Sequence, residues 1–262
     1  MENKKISVII PVYNEEKDIS ECLDSLKKQS HKNFEVIIVD DGSTDRTLEI
    51  VEKFKKENKK IKLKVLKQNH KGTGIARNFG AQKTGGDILI FVDADMTFER
   101  NYLRNLVEPI SNDNYEKITG TTHELEIVKN LENIWSRCWG KIRVSKKEAA
   151  KVRVFRAIRK SKFLNLGGFD PKYGYADDQT FWLKYQLEPL VAKNTVCYHK
   201  NPETLKSVYR QSRWIGASHN NFLLKIPLLN LLILFLLLFF SPVIIFLLSL
   251  KKCYKNKDFS IF

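Results

Sequence analysis

Two acidic clusters, each directly after a short apolar run, constrain the fold of this chain most. Glu35–Val39 and Asp87–Val92 are continuous and rich in β-branched residues, the pattern of strands buried on both faces. The pair Asp40–Asp41 follows the first run, and Asp93 and Asp95 follow the second. Buried strands deliver such carboxylates to the carboxyl edge of a sheet, where open α/β folds bind ligands. The pattern therefore predicts one cleft with four aspartates, which repel one another unless a cation or hydrogen-bond donors lie among them.

Strand and helix patterns alternate through the first hundred residues. The segments predicted in order are a strand Ile6–Pro11, a helix Glu16–Lys28, a strand ending at Asp40, a helix with Leu48, Val51 and Phe54 on its apolar face, a strand Ile61–Leu66, a helix Gly72–Gln82 and a strand Asp87–Val92. Ser43 or Thr44 is expected to cap the second helix. Such alternation indicates parallel βαβ units, and hence an α/β fold with a mostly parallel central sheet.

The composition of the chain excludes few classes of function. The formal net charge of +15 suits a protein that binds nucleic acid, an anionic membrane or phosphorylated substrates. No recognised nucleic-acid motif accompanies the charge, and an acidic cleft opposes that role. The four cysteines are far apart and form no C-x-x-C pair, which argues against a zinc site and a disulfide framework.

The C-terminal part of the chain predicts contact with a membrane. Ile226–Leu250 carries no charged residue and is long enough to cross a bilayer as a tilted helix. Pro242 should kink or break that helix, so one kinked span and a re-entrant hairpin both stay open. We expect a catalytic domain at 1–221, a transmembrane or re-entrant segment at 222–250 and a basic tail at 251–262. The positive-inside bias draws both the basic domain and the basic tail to the cytoplasmic face of the membrane, and a single span cannot satisfy both.

A second stretch bears on membrane contact. Leu131–Ile142 places tryptophans and other apolar residues on one helical face, with basic residues nearby. A basic helix of this kind can lie in a membrane interface. Its apolar stripe can equally cover the sheet, and both interpretations stay open.

Five short motifs occur in the order and spacing of a known enzyme family. They are Pro11–Glu16, Val39–Asp45, Gly74–Gly80, Val92–Asp95 and Gly167–Asp170. On these motifs the sequence, from about Ile6 to Trp214, resembles glycosyltransferase family 2. The resemblance implies a GT-A fold, a UDP- or GDP-sugar donor, a divalent metal (Mg²⁺ or Mn²⁺) and inversion at the anomeric carbon.

The resemblance also implies a donor site. The residues expected there are Pro11, Tyr13, Glu15, Asp40, Asp41, Lys71, Arg77, Asp93, Arg213 and Trp214. Asp41 looks like the family's base-reading aspartate, since a carboxylate accepts the N–H of uracil or guanine, whereas Asp40 either joins it or binds its own turn backbone. Lys71 and Arg77 flank a glycine-rich helix start, a possible anion site, or are surface charges. Gln211–Trp214 resembles the Q-x-x-R-W box of processive members but is one residue short, which puts that comparison in doubt.

Asp93 and Asp95 match the family's D-x-D motif. Residues i and i+2 of an extended segment point the same way, so both carboxylates can face one ligand. Oxygen ligands suit Mg²⁺ or Mn²⁺, which offsets charge on the departing diphosphate. Asp95 is the expected direct ligand, and Asp93 is expected at the ribose or a metal-bound water. His199 is either a further metal ligand or a hydrogen-bonded structural histidine.

The catalytic base is expected at Asp177–Asp178, where the family has a Glu-Asp pair; the aspartate at the first position departs from that pattern. Matching the second position makes Asp178 the base that takes the acceptor's proton, while Asp177 orients the acceptor. The helix predicted to follow would favour the ionised form of both. A helix-capping acidic pair is the alternative.

The expected protein is an inverting glycosyltransferase at the cytoplasmic face of a membrane, with a lipid-linked or glycan acceptor that presents a hydroxyl or phosphate. The alternative is a non-catalytic membrane module that binds glycans or nucleotide sugars. A sugar-phosphate nucleotidyltransferase would need a glycine-rich basic run after the first strand, and Pro11–Glu16 does not supply one.

Overall fold

The computed structural model describes residues 4–113 and 117–218, in which nine strands form one sheet. The strands are β1 Ile6–Val12, β2 Phe34–Asp40, β3 Lys62–Lys67, β4 Ile88–Phe91, β5 Met96–Phe98, β6 Gly120–Val128, β7 Ile142–Val144, β8 Ala157–Arg159 and β9 Leu190–His199. The helices are α1 Ile19–Lys27, α2 Thr47–Glu57, α3 Thr73–Gln82, α4 Tyr102–Asn112, α5 Ile134–Trp139, α6 Lys160–Asn165, α7 Thr180–Tyr185 and α8 Leu205–Ser218. Short 3₁₀ segments lie at Ala149–Lys151 and Pro171–Gln179.

The described chain divides into two units. The first contains the whole sheet and runs over 4–113, 117–129 and 142–200. The second contains 130–141 and 201–218.

One half of the sheet is parallel, as the alternating pattern predicts. The strand order there is β3-β2-β1-β4, and all of these neighbours run in the same direction. Val12 pairs with Asp40, and the N–H of Asp41 donates to the carbonyl of Val12 at 2.9 Å. The carboxyl ends of β1, β2 and β4 therefore meet at one edge, with β1 between the two acidic clusters.

The other half of the sheet corrects the expectation of a mostly parallel fold. The order continues β8-β6-β9-β5, where β4–β8, β8–β6 and β9–β5 are antiparallel and β6–β9 is parallel. The sheet is mixed because the chain leaves the βαβ pattern after β4. This half brings His199 opposite Met96 and so to the β4 edge.

Apolar residues fill both faces of the parallel half. Along β1, Val8 and Ile10 pack in one cluster with helices α1, α2 and α4, whereas Ile9 packs in a second cluster with α3, α6 and α7. A Cβ at Gly80 would lie 2.7 Å from Cγ2 of Ile9, so glycine is what lets α3 approach β1 this closely. Burial of both faces explains why these strands read as continuous apolar runs.

Two local expectations were wrong. Neither Ser43 nor Thr44 caps α2, which begins later at Thr47; there Asp45 accepts a hydrogen bond from the Thr47 N–H. The helix expected over Leu131–Ile142 is shorter: α5 spans Ile134–Trp139, and Ile142 begins β7.

The second unit is organised by asparagine side chains. Asn133 caps α5 by accepting from the N–H groups of Trp135 and Ser136. The Asn130 side chain donates to the carbonyl of Asn201 and accepts from its N–H, both at 2.9 Å. These bonds tie the α5 segment to the chain that leads into α8.

Among the residues that the structure describes, none of the helices combines the length and the apolar composition needed to cross a bilayer. The predicted span Ile226–Leu250, the boundary at 221 and the tail at 251–262 lie outside the described residues.

Candidate active site

The β2 edge carries Asp41, whose carboxylate is buried and fully engaged within the chain. It accepts from the side-chain amide of Gln68 at 2.6 Å and from the N–H groups of Lys71 and Gly72 at 2.8 Å. Nδ1 of His70 lies 2.9 Å from its second oxygen. Asp41 therefore holds the loop that leads into α3. A nucleotide base could reach Asp41 only in competition with these donors, so the base-reading role stays a prediction.

Asp40 and Tyr13 lie beside this loop. The Asp40 carboxylate accepts from the N–H of Ser43 at 3.1 Å, the turn-forming contact that the sequence left open for it. The exposed ring of Tyr13 lies over the ring of His70, with centroids 4.1 Å apart. Together these two rings present a surface at the sheet edge on which a flat base can stack.

The β4 edge is built differently, from buried ion pairs. Oδ1 of Asp93 lies 2.6 Å from Arg77, and Oδ2 lies 3.4 Å from Arg156. Burial opposes ionisation, but the two guanidinium groups hold the pKa of Asp93 well below its usual range. Asp93 is thus a fixed anion between two arginines, one on α3 and one just before β8.

Asp95, two residues further along, contacts a histidine instead. Its Oδ1 lies 3.0 Å from Nε2 of His199, and Nδ1 of that histidine lies 2.5 Å from Glu126. Burial lowers the pKa of His199, but Asp95 and Glu126 outweigh it and raise the pKa to about 9. The antiparallel pairing of β5 with β9 brings the two side chains together, so that a carboxylate oxygen and an imidazole nitrogen, both potential metal ligands, lie side by side.

A divalent cation suits the charges at this edge. Glu15 is half-buried beside the cluster, where burial, together with Asp95, Asp18 and Asp93, raises its pKa to about 8. Burial is the largest cause of that shift, and the repulsion from the neighbouring aspartates adds to it. Asp95 offers a carboxylate oxygen, the ligand type that suits Mg²⁺ and Mn²⁺, and His199 offers an imidazole nitrogen, which binds first-row divalent metals more readily than Mg²⁺. The residues therefore fit a metal ion.

The acidic pair after the Gly167–Asp170 motif is split between two surroundings. Asp177 is buried, with Oδ1 2.9 Å from Arg77, and a Cβ at Gly74 would lie 2.6 Å from its other oxygen. It thus faces α3. Asp178 is half-buried, and within the described residues its carboxylate makes no hydrogen bond. Its charge interacts with the charges of Arg77, Arg156 and Asp93.

The expectation that a helix start would favour ionisation of this pair was wrong. Helix α7 does begin at Thr180, directly after the pair. Burial nevertheless raises the pKa of Asp177 to about 6, against the pull of Arg77. Burial likewise raises the pKa of Asp178, against Arg77 and Arg156. Desolvation is the largest cause of both shifts.

The remaining predicted donor residues are dispersed. Pro11 lies on β1 and pairs with Val39, while the exposed Lys71 contributes its backbone N–H to Asp41. Arg213 and Trp214 lie on α8 in the second unit. Their proposed contacts with diphosphate and sugar stay predictions.

Sequence reasoning missed Arg156 and Glu126. Each is buried at the β4 edge and contacts a residue that the sequence did single out, Asp93 for Arg156 and His199 for Glu126. No local pattern singled them out, because β6 also carries His123 and Glu124, and β8 ends on a further arginine, Arg159.

Comparisons with known proteins agree with this geometry. A family model described as glycosyl transferase family 2 matches residues 7–160, more than half of the chain. The chain belongs to glycosyltransferase family 2. The mixed sheet with its acidic β4 edge is accordingly a GT-A-type fold.

Two curated relatives match the N-terminal part. The glycosyltransferase GlyA of Streptococcus pneumoniae is 40% identical over 106 residues, which is 40% of this chain and 15% of the relative. TarS of Staphylococcus aureus, a poly(ribitol-phosphate) beta-N-acetylglucosaminyltransferase, is 45% identical over 105 residues, which is 38% of this chain and 18% of the relative. The chain thus spans only a small part of each relative's length.

Two solved structures match more of the chain. The crystal structure of Staphylococcus aureus TarS 1–349 in complex with UDP superposes with a TM-score of 0.57 at 27% identity, covering 86% of this chain and 67% of that one. The mannosyltransferase PcManGT of Pyrobaculum calidifontis, solved with GDP-Man and Mn²⁺, gives 0.61 at 24% identity, covering 80% and 61%. The second likeness supports the fold alone.

Proposed function

We propose that this protein transfers a sugar, with inversion, from a UDP- or GDP-sugar to an acceptor hydroxyl or phosphate in the presence of Mg²⁺ or Mn²⁺. The observation that carries the proposal is the β4 edge. The Asp95–His199 pair, the candidate cation site, lies beside a cluster of ion pairs whose arginines also interact with the candidate base Asp178. That edge is where α/β folds of this kind bind their ligands.

Asp95 and His199 are the residues that would hold the metal, with Glu15 next to them. When bound, a divalent cation supplies positive charge that stabilises the departing nucleoside diphosphate. The Asp93 carboxylate, fixed by Arg77 and Arg156 but still partly exposed, is positioned to contact the donor's ribose.

Asp178 takes the acceptor's proton. As the acceptor oxygen bonds to the anomeric carbon, the bond from that carbon to the diphosphate oxygen breaks and the electron pair leaves with the diphosphate. The proton released by the acceptor passes to a carboxylate oxygen of Asp178. A carboxylate whose pKa is raised by burial is a stronger base, provided that the working pH keeps it ionised.

UDP is the favoured nucleotide within this proposal. TarS, 27% identical over a shared fold, was solved in complex with UDP. The Tyr13–His70 surface would receive the base, beside the loop that Asp41 holds.

The acceptor is proposed to be lipid-linked, with the catalytic domain at the cytoplasmic face of a membrane. The proposal rests on the uncharged segment Ile226–Leu250 and on the net charge of +15, which suits an anionic bilayer surface. Its test compares the full chain in nanodiscs on a polyprenyl phosphate with the same chain on soluble sugars. Equal rates on both acceptor classes would contradict a lipid-linked acceptor.

The donor test uses purified full-length protein with Mn²⁺ and a panel of UDP-, GDP- and dTDP-sugars. Binding and hydrolysis are measured for the wild type and for Asp95→Ala. Metal-dependent turnover of one donor, lost in Asp95→Ala, supports the proposal and names the sugar. Metal-dependent binding without turnover on any acceptor supports the alternative of a non-catalytic nucleotide-sugar-binding module. No binding to any donor contradicts both.

A further inference from the structure

Glu126 is a buried carboxylate on β6 at the centre of four basic side chains. Oε1 lies 2.5 Å from Nδ1 of His199 and 2.9 Å from Nε of Arg143. Oε2 lies 2.9 Å from Nε2 of His123 and 3.9 Å from Arg156. A carboxylate is seldom buried unless paired, and this one has a partner on every side. No motif identified it.

We infer that Glu126 is a positioning residue for the metal: it holds the His199 imidazole through Nδ1, so that Nε2 faces Asp95 and the cation bound there. The inference rests on the metal site of the proposed function. The two contacts of His199, 2.5 Å to Glu126 and 3.0 Å to Asp95, lie on opposite nitrogens of the ring.

The chemistry of imidazole explains why such a residue is needed. A neutral imidazole has one N–H and one lone pair, and only the lone pair binds a metal. Both ring nitrogens of His199 face a carboxylate, so a cation held by Asp95 has to replace the proton on Nε2. The acceptor at Nδ1 then holds the other proton there and leaves the Nε2 lone pair for the cation. Carboxylates that accept from a metal-bound histidine also orient the ring and raise its basicity.

The sheet fixes this arrangement. Strands β6 and β9 are parallel neighbours, with Glu126 opposite Cys197 and therefore diagonal to His199. Arg143 and Arg156 lie on the other sides of Glu126. With Arg143 and His199 on Oε1 and His123 on Oε2, the carboxylate faces basic nitrogens from both oxygens.

A rival reading makes Glu126 itself a ligand, together with His123 and Cys197, whose donor atoms also cluster. Two observations oppose it. Nδ1 of His123 is already within reach of the Tyr102 hydroxyl at 3.3 Å. The Cys197 thiol donates to the carbonyl of Leu125 at 3.7 Å, whereas a metal requires the thiolate.

The test measures the dissociation constant of Mn²⁺ on the full-length protein by electron paramagnetic resonance of free Mn²⁺. Glu126→Gln is nearly isosteric and should weaken binding by about 10- to 100-fold. Glu124→Gln is the matched control: it removes the same charge two residues earlier on β6, where Glu124 faces Lys146, and should bind as wild type. Cys197→Ser should also bind as wild type, and loss of Mn²⁺ there would favour the rival reading and overturn ours.

A double-mutant cycle separates positioning from a general structural effect. In a His199→Ala background, Glu126→Gln should change Mn²⁺ affinity little further, because its effect passes through His199. If Glu126→Gln weakens Mn²⁺ binding in that background by the same factor as in the wild type, the inference is overturned. Wild-type affinity in Glu126→Gln alone also overturns it.

Glu126→Gln leaves Arg143 and Arg156 less balanced and can fail to fold. Glu126→Asp keeps the charge but withdraws it from His199, and it should also weaken Mn²⁺ binding; wild-type affinity in this variant overturns the inference. A measurement on the wild type needs no variant: nitrogen-15 NMR of the Mg²⁺-loaded protein should place the His199 proton on Nδ1, and a proton on Nε2 overturns the inference. Absence of Mn²⁺ binding in the wild type would instead contradict the metal site of the proposed function.

Discussion

The two aspartate pairs that flank β1 look alike in sequence but are held by different chemistry. At the β2 edge, Asp41 is satisfied by backbone N–H groups and by side chains from one nearby loop. At the β4 edge, Asp93 and Asp95 are paired with arginine and histidine side chains that come from as far as β9. Hydrogen-bond donors hold a loop at the β2 edge, whereas ion pairs at the β4 edge form a site that a further charge, such as a cation, can affect. The partners of an aspartate, more than the aspartate itself, distinguish these two roles.

The largest effect on activity is expected at Asp178. Asp178→Asn removes the base while it preserves size, and kcat should fall by roughly 10²–10⁴-fold with donor binding intact. The measurement is sugar transfer at saturating donor and Mn²⁺. Asp170→Asn is the control, because Asp170 caps the 3₁₀ segment Pro171–Gln179 and contacts Lys184. Near-normal turnover in Asp178→Asn would remove it as the base.

The largest effect on stability is expected at the β4 edge. Asp93→Asn leaves Arg77 and Arg156 with one carboxylate fewer in a buried cluster. Breaking a buried ion pair costs about 3–5 kcal/mol, and the lower end is expected here because Asp93 stays partly exposed. Urea denaturation measures the change. A loss as small as that of a surface substitution would show that the arginines are satisfied by Asp177 and Glu126 alone.

A smaller loss of stability is expected at the β2 edge. Asp41→Asn keeps one carbonyl oxygen but turns an N–H₂ group toward donors that now lack an acceptor, which costs about 1–3 kcal/mol. Asp40→Asn should cost less, since asparagine accepts the Ser43 N–H equally well. The same denaturation series compares them. If Asp41→Asn instead abolished UDP-sugar binding at unchanged stability, Asp41 would read the base directly.

The same contrast shows what the sequence could predict. The strands and helices from β1 to β4 follow from local periodicity, and the motifs located Asp93, Asp95 and Asp178. Arg156, Glu126 and the His199 contact were out of reach because they depend on the β8-β6-β9-β5 pairing, which brings together residues far apart in the chain. Local patterns record which way a side chain faces, but not which distant strand will lie beside it.

The smallest expected effect is a shift of the pH profile. Below its pKa Asp178 is protonated and cannot accept the acceptor's proton, so kcat/KM should rise with pH through that pKa. Burial raises this pKa and Arg156 lowers it. Arg156→Gln removes the positive charge and leaves Asp93 less balanced, and both changes move the acid limb to higher pH. The profile is measured at saturating Mn²⁺, so that protonation of His199 does not contribute to its acid limb.

Arg153→Gln is the control for that profile. Arg153 pairs with Glu188 and lies over the Trp182 ring, with guanidinium and ring centroid 4.0 Å apart, so its loss should leave the acid limb in place. Asp177 is a second candidate for the limb, since its pKa is about 6. If Asp177→Asn removes the limb and Arg156→Gln leaves it unmoved, the titrating group is Asp177, and the proton of the acceptor must leave by a route other than Asp178.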